Sequence, residues 1–335
     1  MAMQQRLAFE KDIDDLEAVL ANLEAKANGQ VGSAEEVRRI RRELLNLKRK
    51  IYGNLTPWQT VEVARHVNRP QTMDYVDLIF HDFVELHGDR SFGDDRAIRT
   101  GFARLGDFRV MLIGQQKGHT TKEKVECMFG CAHPEGYRKA LNRMRLAAKF
   151  QIPIICLIDT PGAYPGIGAE ERGQAQLIAT NLLEMSRLPT AIICVVIGEG
   201  GSGGALGMGI GDWVGMLEHA YYSVISPEGC AGILWKEANE KTRPLAADAL
   251  KLTARDLFGL RVIDEIIPEP LGGAHRDHRE MGNILKTYLL RHLRELRQLA
   301  PAELLERRYQ KFRRMGVFDE GVVPAAAAEP QNAPS

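Results

Sequence analysis

The chain has 335 residues, 44% hydrophobic and 26% charged, enough to bury a full core in one large domain or two smaller ones. Its 44 Lys and Arg balance its 44 Asp and Glu, so global charge argues against a polyanionic partner such as nucleic acid. Five scattered cysteines read as free thiols in a reducing compartment. The first residues lack the apolar segment of a signal peptide, and no apolar run approaches about 18 residues, so a cytoplasmic protein without a membrane span is expected.

Two matching heptad runs come first. Ile13, Leu16, Leu20, Leu23 and Ala27 are spaced three, four, three, four, and Val37, Ile40, Leu44, Leu47 and Ile51 repeat the spacing, with Gly29 and Gly32 between them. The pattern predicts an antiparallel helical hairpin within residues 1–55. Each arm is only about two heptads, too short to stand alone, so the hairpin must pack on the main body or on another subunit. The basic run at 38–42 is offset by Glu35, Glu36 and Glu43 and reads as a solvated helix face.

Thr56-Pro57 is an N-cap followed by proline at the first helical position, predicting a helix to about Val67. Residues 73–86 carry an amphipathic pattern that predicts a further helix, with His81 and His87 as isolated structural or surface histidines. Gly106-Asp107 between two apolar runs in 97–116 predicts a β-hairpin. The lysine-bearing stretch 117–132 (Lys117, Lys122, Lys124) reads as a solvated loop, with closure over a phosphate-bearing ligand as the functional alternative. Cys127, Cys131 and His133 invite a metal reading, but they are three ligands rather than four, lack the tight paired spacing, and have only a remote His119 to complete them. No metal is expected in this chain.

From Pro134 the pattern is α/β. A helix is predicted over 134–150, a buried strand over 152–158, a turn at 159–166, a helix over 169–187 and a buried strand over 190–197. A strand follows at 221–225, then helices at 227–235 and 244–260, a short strand at 262–267, and helices at 277–299 and 301–315. The body is placed at 56–318, and the alanine- and proline-rich 319–335 reads as a disordered tail.

The strand at 190–197 runs into Gly198-Glu199-Gly200-Gly201-Ser202-Gly203-Gly204. Consecutive glycines let backbone N–H groups approach a ligand without Cβ atoms in the way, and a helix start favours an anion. Four readings fit. Gly198-x-Gly200-x-x-Gly203, with Glu218 about 20 residues on, matches a dinucleotide fingerprint. Gly200-x-Ser202-x-Gly204 matches a nucleophile elbow. An oxyanion hole is the third, and close strand–helix packing without a ligand is the fourth. The 159–166 turn follows the neighbouring strand, so two turns at the same sheet end aim amides at one crevice. That doubling argues against the dinucleotide reading, which needs a single fingerprint in the first βα unit.

One family carries these motifs together. Glu85-Leu86-His87-Gly88-Asp89-Arg90, Lys117-Gly118, Pro134-Glu135-Gly136-Tyr137-Arg138-Lys139-Ala140, the turn 159–166, Gly168-Ala169-Glu170-Glu171-Arg172-Gly173-Gln174, the stretch 197–205, Ser226-Pro227-Glu228-Gly229 and Glu269-Pro270-Leu271-Gly272-Gly273-Ala274-His275 resemble the alpha subunit of the carboxyltransferase component of multisubunit, bacterial-type acetyl-CoA carboxylase. The resemblance runs from the hairpin to about Gly316 and does not include the Cys127/Cys131 pair. It implies a crotonase-like fold of repeated ββα units forming a superhelix. It implies transfer of CO₂ from carboxybiotin, on a biotin carboxyl carrier protein, to acetyl-CoA, giving malonyl-CoA for fatty acid synthesis. The implied assembly is an α2β2 heterotetramer working with biotin carboxylase, whose beta subunit carries a zinc ribbon and supplies most of the CoA pocket.

The chemistry of that reaction suits the residues. Releasing CO₂ leaves negative charge on the ureido oxygen, and removing a thioester α-proton leaves an enolate; both need preorganised donors and no protein nucleophile. The Gly200 and Gly201 amides are the expected donors, with Gly162 and Ala163 completing the site and Gly203 and Gly204 extending the carboxybiotin wall. A β-branched residue at Gly201 is expected to cripple turnover with little change in fold. Two rivals stand beside this: a serine hydrolase using Ser202, Asp264 and His275, and a noncatalytic scaffold subunit.

Overall fold

The computed structural model describes residues 7–26 and 31–316. The hairpin is present as α1 (Lys11–Lys26) and α2 (Val31–Tyr52). Leu7, Ile13, Leu44 and Tyr52 are buried together with Val63 from the following helix, flanked by Leu16, Leu20, Leu47 and Ile51, so the hairpin packs on this chain's own body. Arg276 ties it down, reaching Asp14 at 3.1 Å and Glu17 at 2.9 Å. The guanidinium run at 38–42 is exposed, apart from buried Ile40. Gly32 does not break the pattern but lies inside α2; Ala27 and Gly29 fall outside the described residues.

Thr56 caps α3 (Pro57–Ala64) with a full capping box. The helix stops three residues short of expectation because Arg65, at its C-cap, turns inward to the site described below. α4 (Thr72–Ile79) is likewise shorter, and the predicted helix over 73–86 is corrected: Phe80 is already extended, and β1 (His81–Glu85) pairs antiparallel with β2 (Ile98–Leu105). Over so few residues an apolar run does not distinguish strand from helix; edge pairing decides it. The hairpin of β2 and β3 (Phe108–Gln115) forms as expected about Gly106, whose φ of +56° suits glycine.

The lysine stretch is not a plain loop. Thr120 caps α5 (Thr121–Glu126), and a 3-10 turn follows at Met128–Gly130. α6 (Pro134–Lys149) matches expectation, and β4 (Ile154–Thr160) begins and ends two residues later than expected, taking in Asp159 and Thr160 from the predicted turn. The helix predicted over 169–187 is two, α7 (Ile167–Glu171) and α8 (Gln174–Arg187), separated at Gly173 with φ +82°. β5 (Ile192–Gly201) runs four residues beyond its predicted end and leads directly into α9 (Ser202–Leu206).

β6 (Trp213–Leu217) is a strand the sequence pattern did not announce, followed by β7 (Tyr221–Ser223) and α10 (Pro227–Leu234). The helix predicted over 244–260 divides into α11 (Thr242–Ala249) and α12 (Ala254–Gly259), the latter capped by Thr253. β8 (Glu265–Ile267), α13 (His278–Leu296) and α14 (Pro301–Arg313) complete the described chain. The 319–335 tail lies outside the described residues.

One eight-stranded sheet runs β1-β2-β3-β4-β5-β6-β8, parallel from β3 onward. Every residue of β4 and β5 is buried, as expected for strands covered on both faces. β5 changes partner along its length: Ile193–Val196 pair with β6, and the last three residues pair with β7. The β2-β3-α6 and β6-β7-α10 successions are ββα units. The carboxyl ends of β4 and β5 lie side by side, β4 continuing into the glycine-bearing turn at 161–166 and β5 into the glycine-rich first turn of α9.

Candidate active site

The two turns meet. Pro161, Gly162, Ala163, Tyr164, Pro165 and Gly166 after β4, Ser202 and Gly203 at the start of α9, and Val224, Ile225 and Ser226 after β7 line one open cleft of about 540 Å³. Gly162 and Ala163 are thus placed beside Gly203, as expected from adjacent strands. The amides of Ala163 and Gly203 have no partner among the turn, loop and side-chain hydrogen bonds of the described residues, whereas Ser202 directly follows the Gly201–Ser223 pairing of the β5–β7 ladder. The Gly162 N–H is already given to Thr160 Oγ1 at 3.0 Å, which holds the turn in shape.

Gly200, Gly201 and Gly204 sit differently. Gly200 pairs with Thr160 and Tyr222, and Gly201 with Ser223. A Cβ on Gly201 would lie 2.1 Å from the Pro161 carbonyl oxygen, and one on Gly204 would lie 2.5 Å from the Gly162 carbonyl carbon. These two glycines allow the turns to touch backbone to backbone. The expectation that a β-branched residue at Gly201 spares the fold is therefore corrected.

Beneath the turns lies a buried charge cluster. Lys117 Nζ stands 2.6 Å from Asp159 Oδ1 and 2.5 Å from Glu199 Oε2, so it does not reach out to a ligand as the loop reading allowed. Arg65 Nε donates to Glu199 at 2.6 Å, and Arg65 Nη1 to Glu228 at 2.6 Å. The Tyr221 hydroxyl donates to Glu199 Oε1 at 2.7 Å. Burial by itself would raise the Glu199 carboxyl, but Lys117 and Arg65 outweigh it and hold the group at about 2. Burial dominates at Asp159 and pushes it above the ordinary carboxylate value. Gln115 bridges the turns, accepting from Asp159 N–H at 3.0 Å and donating to the Gly204 carbonyl at 2.9 Å. Arg65, Tyr221 and Gln115 were not found by sequence reasoning; the signal available was an acid ending each of two wholly apolar strands.

The rival constellations do not assemble. Asp264 accepts from Val214 N–H and Lys311. His275 Nε2 lies 3.3 Å from Glu10 and its Nδ1 has no partner, so no relay reaches Ser202. Glu218 accepts from Glu269 N–H rather than turning to the glycine stretch. Cys127 is buried near Arg99, and His133 stacks on Tyr164. Among the described residues the one cluster with metal-ligand geometry is Glu10, His66 and His275. Its carboxylate is already held by Tyr52 and by the Arg276 guanidinium, whose positive charge opposes a second cation there.

Residues 6–316 match the family model described as acetyl co-enzyme A carboxylase carboxyltransferase-like. The chain belongs to this family. The acetyl-coenzyme A carboxylase carboxyl transferase subunit alpha of Rhodopirellula baltica is 58% identical over 94% of this chain and 98% of its own. That of Geobacter metallireducens is 55% identical over 96% of this chain and 100% of its own. Among solved structures, transcarboxylase 12S matches with a TM-score of 0.53 at 21% identity, over 69% of this chain and 44% of that one. The beta subunit of Pseudomonas aeruginosa geranyl-CoA carboxylase matches with a TM-score of 0.52 at 16% identity, over 75% of this chain and 45% of that one. The chain thus spans under half the length of these two structures, which establish its crotonase-like fold.

Proposed function

We propose that the two-turn cleft is the carboxyl-transfer site of an acetyl-CoA carboxylase and that it stabilises the anions of that reaction with backbone amides. The observation that carries this is the convergence of the Ala163 and Gly203 amides, which have no turn, loop or side-chain partner, on one cleft. Carboxybiotin, brought by a biotin carboxyl carrier protein and charged by biotin carboxylase, supplies the CO₂, and acetyl-CoA accepts it to become malonyl-CoA. The chain's part is to orient both and to offer donors where negative charge develops; such a donor contributes about 3 kcal/mol. Gly200, Gly201, Gly204 and Gly162 hold the wall in the shape that presents those donors.

The cleft is open on one side, and its rim is apolar. Val224, which lines it, and Ile167, Ile233 and Leu234 on the adjacent helices are all well exposed. Apolar surface beside an incomplete site fits a partner subunit. The reading assigns that face to a carboxyltransferase beta subunit in an α2β2 assembly, with zinc held in the beta partner.

The test is reconstitution: this chain is mixed with a carboxyltransferase beta subunit, and malonyl-CoA decarboxylation is followed with biotin or biotinylated carrier. Activity is expected only in the mixture. A stable complex without activity overturns the reading, and fluorophosphonate labelling of Ser202 in the chain alone would move it to a hydrolase.

A further inference from the structure

The β4–β5 ladder runs in register from Ile154–Ile192 to Ile158–Val196 and resumes at Thr160–Gly200. A single residue, Asp159, therefore stands opposite residues 197–199, and the backbone pairing is interrupted just before both cleft turns. Side chains take over there. Asp159 Oδ1 accepts from Glu199 N–H at 2.9 Å, and the Lys117 ammonium bridges the two carboxylates. The Lys117 stem passes so close to Gly130 that a Cβ there would lie 2.8 Å from its Cγ. The Thr160 hydroxyl, next to Asp159, lies 2.7 and 2.8 Å from the Gly130 and Gly162 carbonyl oxygens and shares its one proton between them. The clamp thus connects directly to the cleft backbone.

We propose that Lys117 is a positioning residue for carboxyl transfer: its ammonium, held between Asp159 and Glu199, sets the spacing of the two glycine turns that line the cleft. The proposal rests on the reading of that cleft as the transfer site. The other charged and titratable groups facing the clamp are Arg65 from the end of α3, Arg69 from the segment after it, Tyr75 from α4, Tyr221 from β7, Glu228 from α10 and Cys131 from the segment after α5. Arg65 remains committed to Glu199 and Glu228, and Arg69 to Glu269 and the Ile197 carbonyl, when Lys117 is removed, so neither takes the place of the ammonium at Asp159. The Asp159 carboxylate, held by the Glu199 N–H, then faces the Glu199 carboxylate without a cation between them; the two repel, and one of them takes up a proton more readily. A proton shared between Asp159 and Glu199 restores part of the attraction that the ammonium supplied.

The test uses the complex with the beta subunit. Wild type, Lys117→Met, Glu199→Gln and the double variant are compared for kcat and KM of malonyl-CoA decarboxylation between pH 6 and 8.5. Lys117→Met is expected to lose at least ~50-fold in kcat at pH 8 with KM within about threefold, and to recover rate as pH falls toward 6. The double variant, with one negative charge removed, should regain at least about fivefold at pH 8 and lose the acid-side rise. Retention of kcat within about threefold by folded, beta-bound Lys117→Met overturns the proposal. So does a loss showing neither pH recovery nor relief by Glu199→Gln, since that marks only weakened folding. If Lys117→Met does not fold, Glu199→Gln alone decides: a fall of about fivefold or more in kcat at unchanged KM supports the clamp, and a change within about twofold overturns it. An inactive wild-type complex would instead overturn the reading of the cleft itself.

Discussion

Neighbouring glycines in one motif do opposite work. Gly203 faces the cleft beside Ile178, and a Cβ there makes only an ordinary contact at 3.4 Å. Gly201 has a carbonyl where its Cβ would go. Gly203→Leu is therefore expected to fold normally, with Tm within about 2 °C, while filling the cleft and lowering kcat/KM at least tenfold (~1.4 kcal/mol). Gly201→Ala is expected to lower Tm or soluble yield before any kinetics are read, because backbone must move to admit it. Paired melting curves and assays separate the two, and a stable Gly201→Ala variant would contradict the packing account. This difference was not legible in the sequence, where both residues belong to one flexible-looking run. What was legible is that the run, and the 159–166 turn with it, carries the chemistry.

At the scale of elements, buried charge does what the ladder and caps do not. Arg308 on α14 is fully buried and binds Asp212 bidentately at 2.8 and 2.7 Å, with the Met185, Leu188 and Thr190 carbonyls as further acceptors. It thereby fastens α14 to the end of α8 and to the loop entering β6. Arg308→Met removes the cation from Asp212, which keeps only the Ile192 N–H, and a donor from each of the three carbonyls, and a loss of about 3–5 kcal/mol is expected, measured as the urea unfolding midpoint. A loss below ~1 kcal/mol would show that water replaces the guanidinium. Periodicity predicted α14 as an amphipathic helix but gave no hint that an arginine would be its most buried contact. The same failure explains β1 and β6: short strands at 81–85 and 213–217 are defined by their neighbours, and the helix pattern at 73–86 continued past the point where β2 captures the chain.

Across the molecule, carboxylates held below their ordinary value set the acid limit. Burial would raise Glu10 and Glu269, but His275, Tyr52 and Arg276 around the first, and Arg69 around the second, hold each at about 2. Their folded values lie below the unfolded 4.5, so their contribution is complete above about pH 4.5 and is lost as pH falls toward 2. Burial also lowers His219, so below about pH 6.5 the unfolded chain binds a proton that the folded chain refuses. His219 is expected to cost stability from about pH 6.5 downward, against the opposite contribution of His119, whose bond to Asp74 raises it, and the two glutamates are expected to bring a decline below 4.5, read from urea midpoints across pH. Glu269→Gln should be less stable at pH 7 and flatter below 4.5; an unchanged acid slope would remove Glu269 from the account.

The sequence by itself determined the hairpin from its heptads, the buried strands β4 and β5 from their unbroken apolar runs, the starts of α3, α6, α10 and α14 from their prolines, and the family from motifs whose order and spacing are distinctive. These are local signals, written in the spacing of residues along the chain. Only the tertiary structure decided which glycines face the cleft, that Lys117 points inward to Asp159 and Glu199, that Arg65 leaves α3 to join them, and that Ser202, Asp264 and His275 stay apart. Each of those depends on residues distant in the chain meeting across the sheet, and no local pattern records such a meeting until the strands are paired and the low-dielectric interior compels every buried charge to find its partner.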